Sequence, residues 1–118
     1  MRHRNTVKKL NRRKNERVSM VKNLLKSLVK YEVIKTTEAR YKVLRGSFDK
    51  LVNTAKKRDI ESYRRVFAIL RDKELSNKVT QDFVKRYSEK KSGYVKSYKL
   101  ENRRGDNAKM VRVEVIKL

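Results

Sequence analysis

No cysteine occurs among the 118 residues, and the only histidine is His3. Disulfides and thiolate metal sites are therefore excluded, and nothing points to an oxidising compartment. The usual nucleophile–base pairs, which need a cysteine or a second histidine, cannot be assembled. The three glycines, at 46, 93 and 105, lie too far apart for a Gly-rich phosphate loop, and no Gly-x-Ser-x-Gly elbow is present. The five aspartates (Asp49, Asp59, Asp72, Asp82 and Asp106) are dispersed, whereas a metal-dependent nuclease needs clustered carboxylates. These absences argue against an enzyme, a metal site, a cofactor and a small-molecule substrate. No apolar run approaches the roughly 18 residues of a membrane span. Met1-Arg2-His3-Arg4 is basic like the first region of a signal peptide, but no apolar stretch follows, so the expectation is a cytoplasmic protein.

Acids are scarce too: 13 Asp+Glu stand against 35 Lys+Arg, a net charge of +22. The apolar fraction of 37% is low for a globular domain and the charged fraction of 41% is high, so a small core carries a heavily charged coat. The length fits one domain, residues 1–118, burying roughly two thirds of its unfolded surface. Crowding such charge into a small fold costs self-repulsion. A polyanion would relieve it, and nucleic acid adds the release of condensed counterions. An anionic membrane is the other large polyanion. A membrane-active helix would need a large exposed apolar face, and the apolar stripes here are required for the core.

Residues 2–14 hold Arg2, Arg4, Lys8, Lys9, Arg12, Arg13 and Lys14, no acid, and only Val7 and Leu10 as apolar members. Such a segment cannot offset the entropy of ordering itself, so residues 1–14 read as a basic arm ordered by its partner, and 15–118 as the globular part. Asn15 is a candidate cap for a helix in which Val18, Val21, Leu25 and Leu28 recur. A short strand rich in β-branched residues follows at Glu32–Thr36, and Thr37 can cap a second helix from about Glu38 to Lys56. Tyr41, Leu44, Phe48, Leu51, Val52 and Ala55 form its stripe, with Gly46 either closely packed or merely tolerated. Asp59 and Asp72 read as caps of two further helices, one striped by Tyr63, Val66, Phe67 and Leu70, the other by Leu75, Val79, Phe83 and Tyr87. After a loop at 89–93 the period becomes two. Tyr94, Tyr98 and Leu100 share one side of a strand interrupted by Lys96; Val111, Val113 and Val115 oppose Arg112 and Glu114 in another. The turn-rich segment 103–107 joins them as an antiparallel hairpin, with Gly105 at positive φ and Arg103 and Arg104 exposed. The expected fold is α+β in two layers: helix, strand, three helices, two strands, with the helices on one side of a small sheet. The other sheet face, carrying Lys96, Arg112 and Glu114, is expected to be open.

The basic residues are the positive signal, though about half would serve only as solvated helix faces. Arg12, Arg13, Lys14 and Arg17 continue the arm into the first helical turn; Arg64, Arg65 and Arg71 surround the third helix; Arg103 and Arg104 sit at the hairpin tip; Lys56, Lys57 and Arg58 fill a loop. Arginine offers phosphate a planar fork and lysine a mobile charge. Tyr94 and Tyr98 could stack on splayed bases, although such tyrosines are more often core residues. Charge alone does not separate RNA from DNA. The helices around Arg71-Asp72-Lys73 could form a helix-turn-helix, making a DNA-binding architectural protein the competing reading, with Asn77 and Lys78 its few base-reading side chains.

Motifs decide between them. The opening Met1-Arg2-His3-Arg4 with Leu10-Asn11-Arg12, then Ile34-Lys35-Thr36-Thr37 with Ala39, Lys42 and Leu44-Arg45, then Gly93-Tyr94, and finally Arg104-Gly105-Asp106-Asn107-Ala108 with Met110 and Glu114 all stand in order. On these the chain resembles the family of the seventeenth protein of the bacterial large ribosomal subunit, over essentially its whole length, with 58–90 matching by pattern more than by residue. The resemblance implies the same element order bound to large-subunit ribosomal RNA, on the solvent side of the subunit near the nascent-chain exit region and beside other ribosomal proteins. It implies a structural role, one copy per ribosome and no homo-oligomer. The expected RNA contacts are Arg2, His3, Arg4, Lys8, Lys9, Arg12, Arg13, Lys14, Arg17, Lys35, Arg64, Arg65, Arg71, Arg103 and Arg104.

Overall fold

The computed structural model describes residues 3, 4 and 6–117. Helix α1 is Lys14–Tyr31, strand β1 Val33–Thr37, helix α2 Glu38–Ala55 and helix α3 Ile60–Leu70. Helix α4 begins at Lys73–Asn77, continues as a π-helical segment Lys78–Phe83 and ends at Val84–Arg86. Strands β2, Val95–Lys99, and β3, Met110–Val115, complete an antiparallel sheet of order β1-β3-β2. The α+β architecture is the expected one, and the hairpin pairs with Ser97 opposite Val113. β1 lies on the other side of β3, Ile34 opposite Val113, so the last strand is the central one.

The helix starts follow local chemistry. The side chains of Thr37, Asp59 and Asp72 accept from the backbone N–H of Arg40, Ser62 and Leu75 at 3.4, 2.7 and 3.1 Å. Asn15 does not cap α1. The helix begins one residue earlier, at Lys14, behind an Arg13 whose side chain makes no cap bond.

The stripe of α2 is buried as expected, from Tyr41 to Ala55. Gly46 is exposed with nothing within 4 Å of an added Cβ, so close packing there is ruled out. In α3 the buried set is Ser62, Val66 and Leu70, while Phe67 is 40% exposed. The face is turned by one residue from the expected stripe. Val18 is likewise exposed, and α1 buries Leu25, Leu28 and Val29.

In α4 the repeat Leu75, Val79, Phe83, Tyr87 advances by four. An α-helix of 3.6 residues per turn would let that stripe drift by about 40° per step. The π-helical segment widens the turn and keeps Val79, Phe83 and Tyr87 on the core. Hydroxyls assist: Ser76 Oγ donates to the Asp72 carbonyl at 2.7 Å and Thr80 Oγ1 to the Ser76 carbonyl at 2.9 Å, loosening the α-helical ladder.

The core joins the helices to one sheet face through Val111, Val113 and Val115. An aromatic run, Phe48–Phe83–Tyr87–Tyr94, has ring centroids 5.8, 6.1 and 4.8 Å apart. Tyr94 is fully buried, which removes it as a base-stacking residue. Its hydroxyl accepts from Lys56 Nζ at 2.6 Å and lies 2.5 Å from Asn53 Oδ1 and 2.9 Å from the Lys90 carbonyl. Lys56 also donates to that carbonyl, so it braces the core instead of facing outward.

Candidate nucleic-acid interface

A positive surface depends as much on where the acids go as on where the bases are. Among the described residues, at least eight of the 13 acids are engaged within the fold. Asp59 and Asp72 cap helices, and Asp49 receives the backbone N–H of Gly93 and Tyr94, both at 3.3 Å. Glu38 faces Lys42 at 3.7 Å, Glu61 faces Arg65 at 2.5 Å, and Glu114 faces Arg112 Nε at 3.0 Å. Asp106 holds Arg103 at 2.5 Å; this hydrogen bond, aided by the Ala108 N–H, lowers its carboxyl to about 2. The Asp59 carboxyl is also lowered, by its hydrogen bonds from Ser62.

Glu32 gathers two cations. It ends α1 in the left-handed region at φ 61°, with Lys78 Nζ at 3.0 Å and Arg86 Nη1 at 3.2 Å. Burial pushes its carboxyl up, but the hydrogen bonds and charges of Arg86 and Lys78 outweigh this and hold it below the ordinary glutamate range. Arg86 lies over the rings of Phe83 and Tyr87. Lys78 and Arg86 are thus structural cations, a role that spacing in the sequence does not disclose.

The expected contact residues are distributed as follows. Arg2 lies outside the described residues. His3, Arg4, Lys8, Lys9, Arg12, Arg13 and Lys14 are exposed along the segment leading into α1. Arg17 is half-buried and donates to the Arg12 carbonyl at 3.4 Å. Lys35 stands on the open sheet face, where it pairs in register with Arg112, which pairs in turn with Tyr98. The Arg112 guanidinium covers the Tyr98 ring at 4.9 Å, and that ring is 43% exposed. Lys96 and Glu114 complete the face, as expected. Arg64, Arg65 and Arg71 are exposed around α3, with Arg65 tied to Glu61 and Arg71 in the left-handed region closing the helix. At the hairpin tip, Gly105 has φ 103° as expected; Arg104 is exposed, whereas Arg103 is exposed but held by Asp106.

Among the described residues, basic side chains meet in several clefts. One of about 570 Å³ lies along α1 between Arg12 and Arg40, lined by Asn15, Glu16, Ser19 and Asn23. A second of about 440 Å³ has an apolar floor of Val18, Val21, Val43 and Ile69 and a rim of Lys8, Arg17, Lys22 and Lys50. A third of about 300 Å³ gathers Lys8, Lys42, Arg45 and Lys99 beside Glu38, Tyr41, Ser97 and Val111. None is lined by Arg64, Arg65, Arg71, Arg103 or Arg104. Lys42, Arg45 and Lys99 were not singled out as contacts from the sequence, because their convergence with Lys8 exists only in the fold.

The helix-turn-helix reading loses its reading head. Asn77 Oδ1 accepts from the Tyr63 hydroxyl at 3.3 Å, and Lys78 is bound to Glu32. Both side chains expected to reach bases are thus engaged by the protein itself.

The profile of the family described as "Ribosomal protein L17" matches residues 20–116. The chain is 40% identical over 116 residues to a protein of Desulforapulum autotrophicum, covering 98% of this chain and 97% of that one. It is 38% identical to a Campylobacter concisus protein, over 98% of each chain. A Fusobacterium nucleatum protein is 37% identical, over 98% of this chain and 100% of its own length. All three relatives bear the name "Large ribosomal subunit protein bL17".

Proposed function

The chain belongs to the ribosomal protein L17 family, and from that premise we infer that it is a structural component of the large ribosomal subunit, holding ribosomal RNA with its basic surface. Its place of work is the ribosome in the cytoplasm. Its role is architectural and not catalytic. Its partners are large-subunit ribosomal RNA and the neighbouring large-subunit proteins, with one copy per subunit and no self-association.

The observation that carries this reading is the one-sided use of charge. Most acids are engaged in caps and ion pairs within the fold, whereas among the described residues Arg4, Lys8, Lys9, Arg12, Arg13 and Lys14 have no acidic partner. The net charge of +22 is therefore directed outward.

The mechanism is an RNA clamp used in subunit assembly. The globular part docks through Arg17, Lys35, Arg64, Arg65, Arg71, Arg103 and Arg104. The arm, residues 1–14, threads between RNA segments and neutralises their mutual repulsion through Arg2, His3, Arg4 and the cations after them. About 6–10 phosphate contacts would lower affinity by roughly 10³–10⁵-fold between about 50 and 200 mM salt. The test is the affinity for a large-subunit ribosomal RNA transcript across that range. A steep linear fall on logarithmic axes is expected, and a flat response overturns the clamp.

A further inference from the structure

Strand β2 is an edge of the sheet and pairs only with β3 among the described residues. The N–H of Leu100 donates to the Met110 carbonyl and that of Ile116 to the Tyr94 carbonyl, both flanking the paired strands. In an antiparallel ladder the bonded positions alternate, so the even-numbered residues of β2 serve β3 while Ser97 and Lys99 turn their N–H groups to the open edge. The Ser97 and Lys99 side chains are on the helix-facing side, in register with Val113 and Val111, where α2 does not cover them and both remain exposed.

Helix α2 supplies the opposite wall. Lys42 and Arg45, three residues apart, share one face, with the Tyr41 ring lying 5.9 Å from the Arg45 guanidinium. Lys8 comes across from the N-terminal segment to line the same cleft. Four cations from three remote parts of the chain thus surround about 300 Å³ of space. The only acid lining it among the described residues, Glu38, meets Lys42 at 3.7 Å. Among the described residues, Lys8, Arg45 and Lys99 have no acidic partner. Held this way, the four repel one another until an anion separates them.

We propose that this cleft between α2 and the free edge of β2 seats two adjacent phosphates of an RNA strand. Arg45 takes one bidentately from above Tyr41. Lys99 and Lys42 hold the second against the outward N–H groups of the edge strand, and Lys8 closes over both. The larger groove at Lys22 and Lys50 has an apolar floor and suits phosphate less, and the groove at Arg12 contains Glu16, which, unlike Glu38, pairs with no cation among the described residues. The assignment rests on the RNA-binding reading above and adds a site to it.

The test uses the full chain and a large-subunit ribosomal RNA transcript, with affinity measured against salt. Each lost phosphate contact removes about 0.7 to 0.9 from the logarithmic salt slope. Lys42→Gln, Arg45→Gln and Lys99→Gln combined should flatten the slope by about 1.4 to 1.8, at unchanged melting temperature. An equal charge removal at exposed sites outside the cleft, Lys57→Gln, Lys73→Gln and Lys91→Gln, should change the slope by less than half as much. Glu38→Gln, which deletes the cleft's lone carboxylate, should tighten binding several-fold. Equal effects of the two triple variants, or no gain from Glu38→Gln, would overturn the cleft while the wild-type slope stayed steep. A flat wild-type slope would instead overturn the RNA-binding reading itself.

Discussion

Replacing Glu32 with glutamine tests how the fold manages its positive charge. The carboxylate side chain is 16% exposed, and its partners Lys78 and Arg86 are 26% and 22% exposed, so water shields the cluster only in part. Glutamine keeps the shape and the left-handed backbone at φ 61°, so the comparison isolates charge. Two charge-assisted contacts contribute about 1.5–3 kcal/mol each. The amide oxygen can still accept one, and water reaches the rest, which leaves an expected loss of about 2 kcal/mol. In a domain of this size that lowers the melting temperature by roughly 8 °C, measurable by circular dichroism. The pH dependence has a definite sign. The folded carboxyl is held below its ordinary value, so its contribution is fully present above the unfolded glutamate pKa of about 4.3 and disappears as pH falls through the folded value. The gap between wild type and Glu32→Gln should therefore be full at neutral pH and close in acid. A loss under about 0.5 kcal/mol at neutral pH, typical of a surface pair, would refute the shielding argument. So would a gap that persists unchanged in acid.

Three further outcomes are expected. Gly46→Ala, in the exposed middle of α2 with open space around its Cβ, should stabilise the protein by about 1 kcal/mol in denaturant unfolding; a destabilised variant would mean a close contact is present after all. Gly105→Val must adopt a φ near 103° and should cost at least about 1–2 kcal/mol. The Arg103 and Asn107 amides that close the turn should then exchange faster, and unchanged exchange would mean the turn tolerates a side chain. Removing residues 1–13, none of which is buried among those described, should leave thermal unfolding within about 0.5 kcal/mol of wild type while weakening ribosomal RNA binding about tenfold or more. An unfolded truncation would mean that the segment belongs to the core.

What could be read from the chain follows the range of the interaction responsible. Caps act over three residues, so Thr37, Asp59 and Asp72 were visible as helix starts. The α2 stripe was visible because six apolar residues leave one phase for the buried face. In α3, Val66 and Leu70 fit either of two neighbouring phases, and packing against other elements buries Ser62 and leaves Phe67 exposed. The regular step of four along α4 was legible, but its resolution as a π-helical segment depends on the core it must keep facing. The place of β1 beside β3 is a non-local pairing that no short window contains. The same holds for the site. The arm's cations stand out as a run, whereas Lys8, Lys42, Arg45 and Lys99 are neighbours only after folding, and Lys56, Lys78 and Arg86 are claimed by internal partners.

A fold with so few free acids should lie among phosphates in the cell. The most direct measurement is sedimentation of a cell lysate, with the protein followed across the gradient after a high-salt wash and after RNase. The protein should be recovered with the large ribosomal subunit, be retained through the wash and be released by RNase. Recovery mainly as a free species, unaffected by RNase, would contradict it.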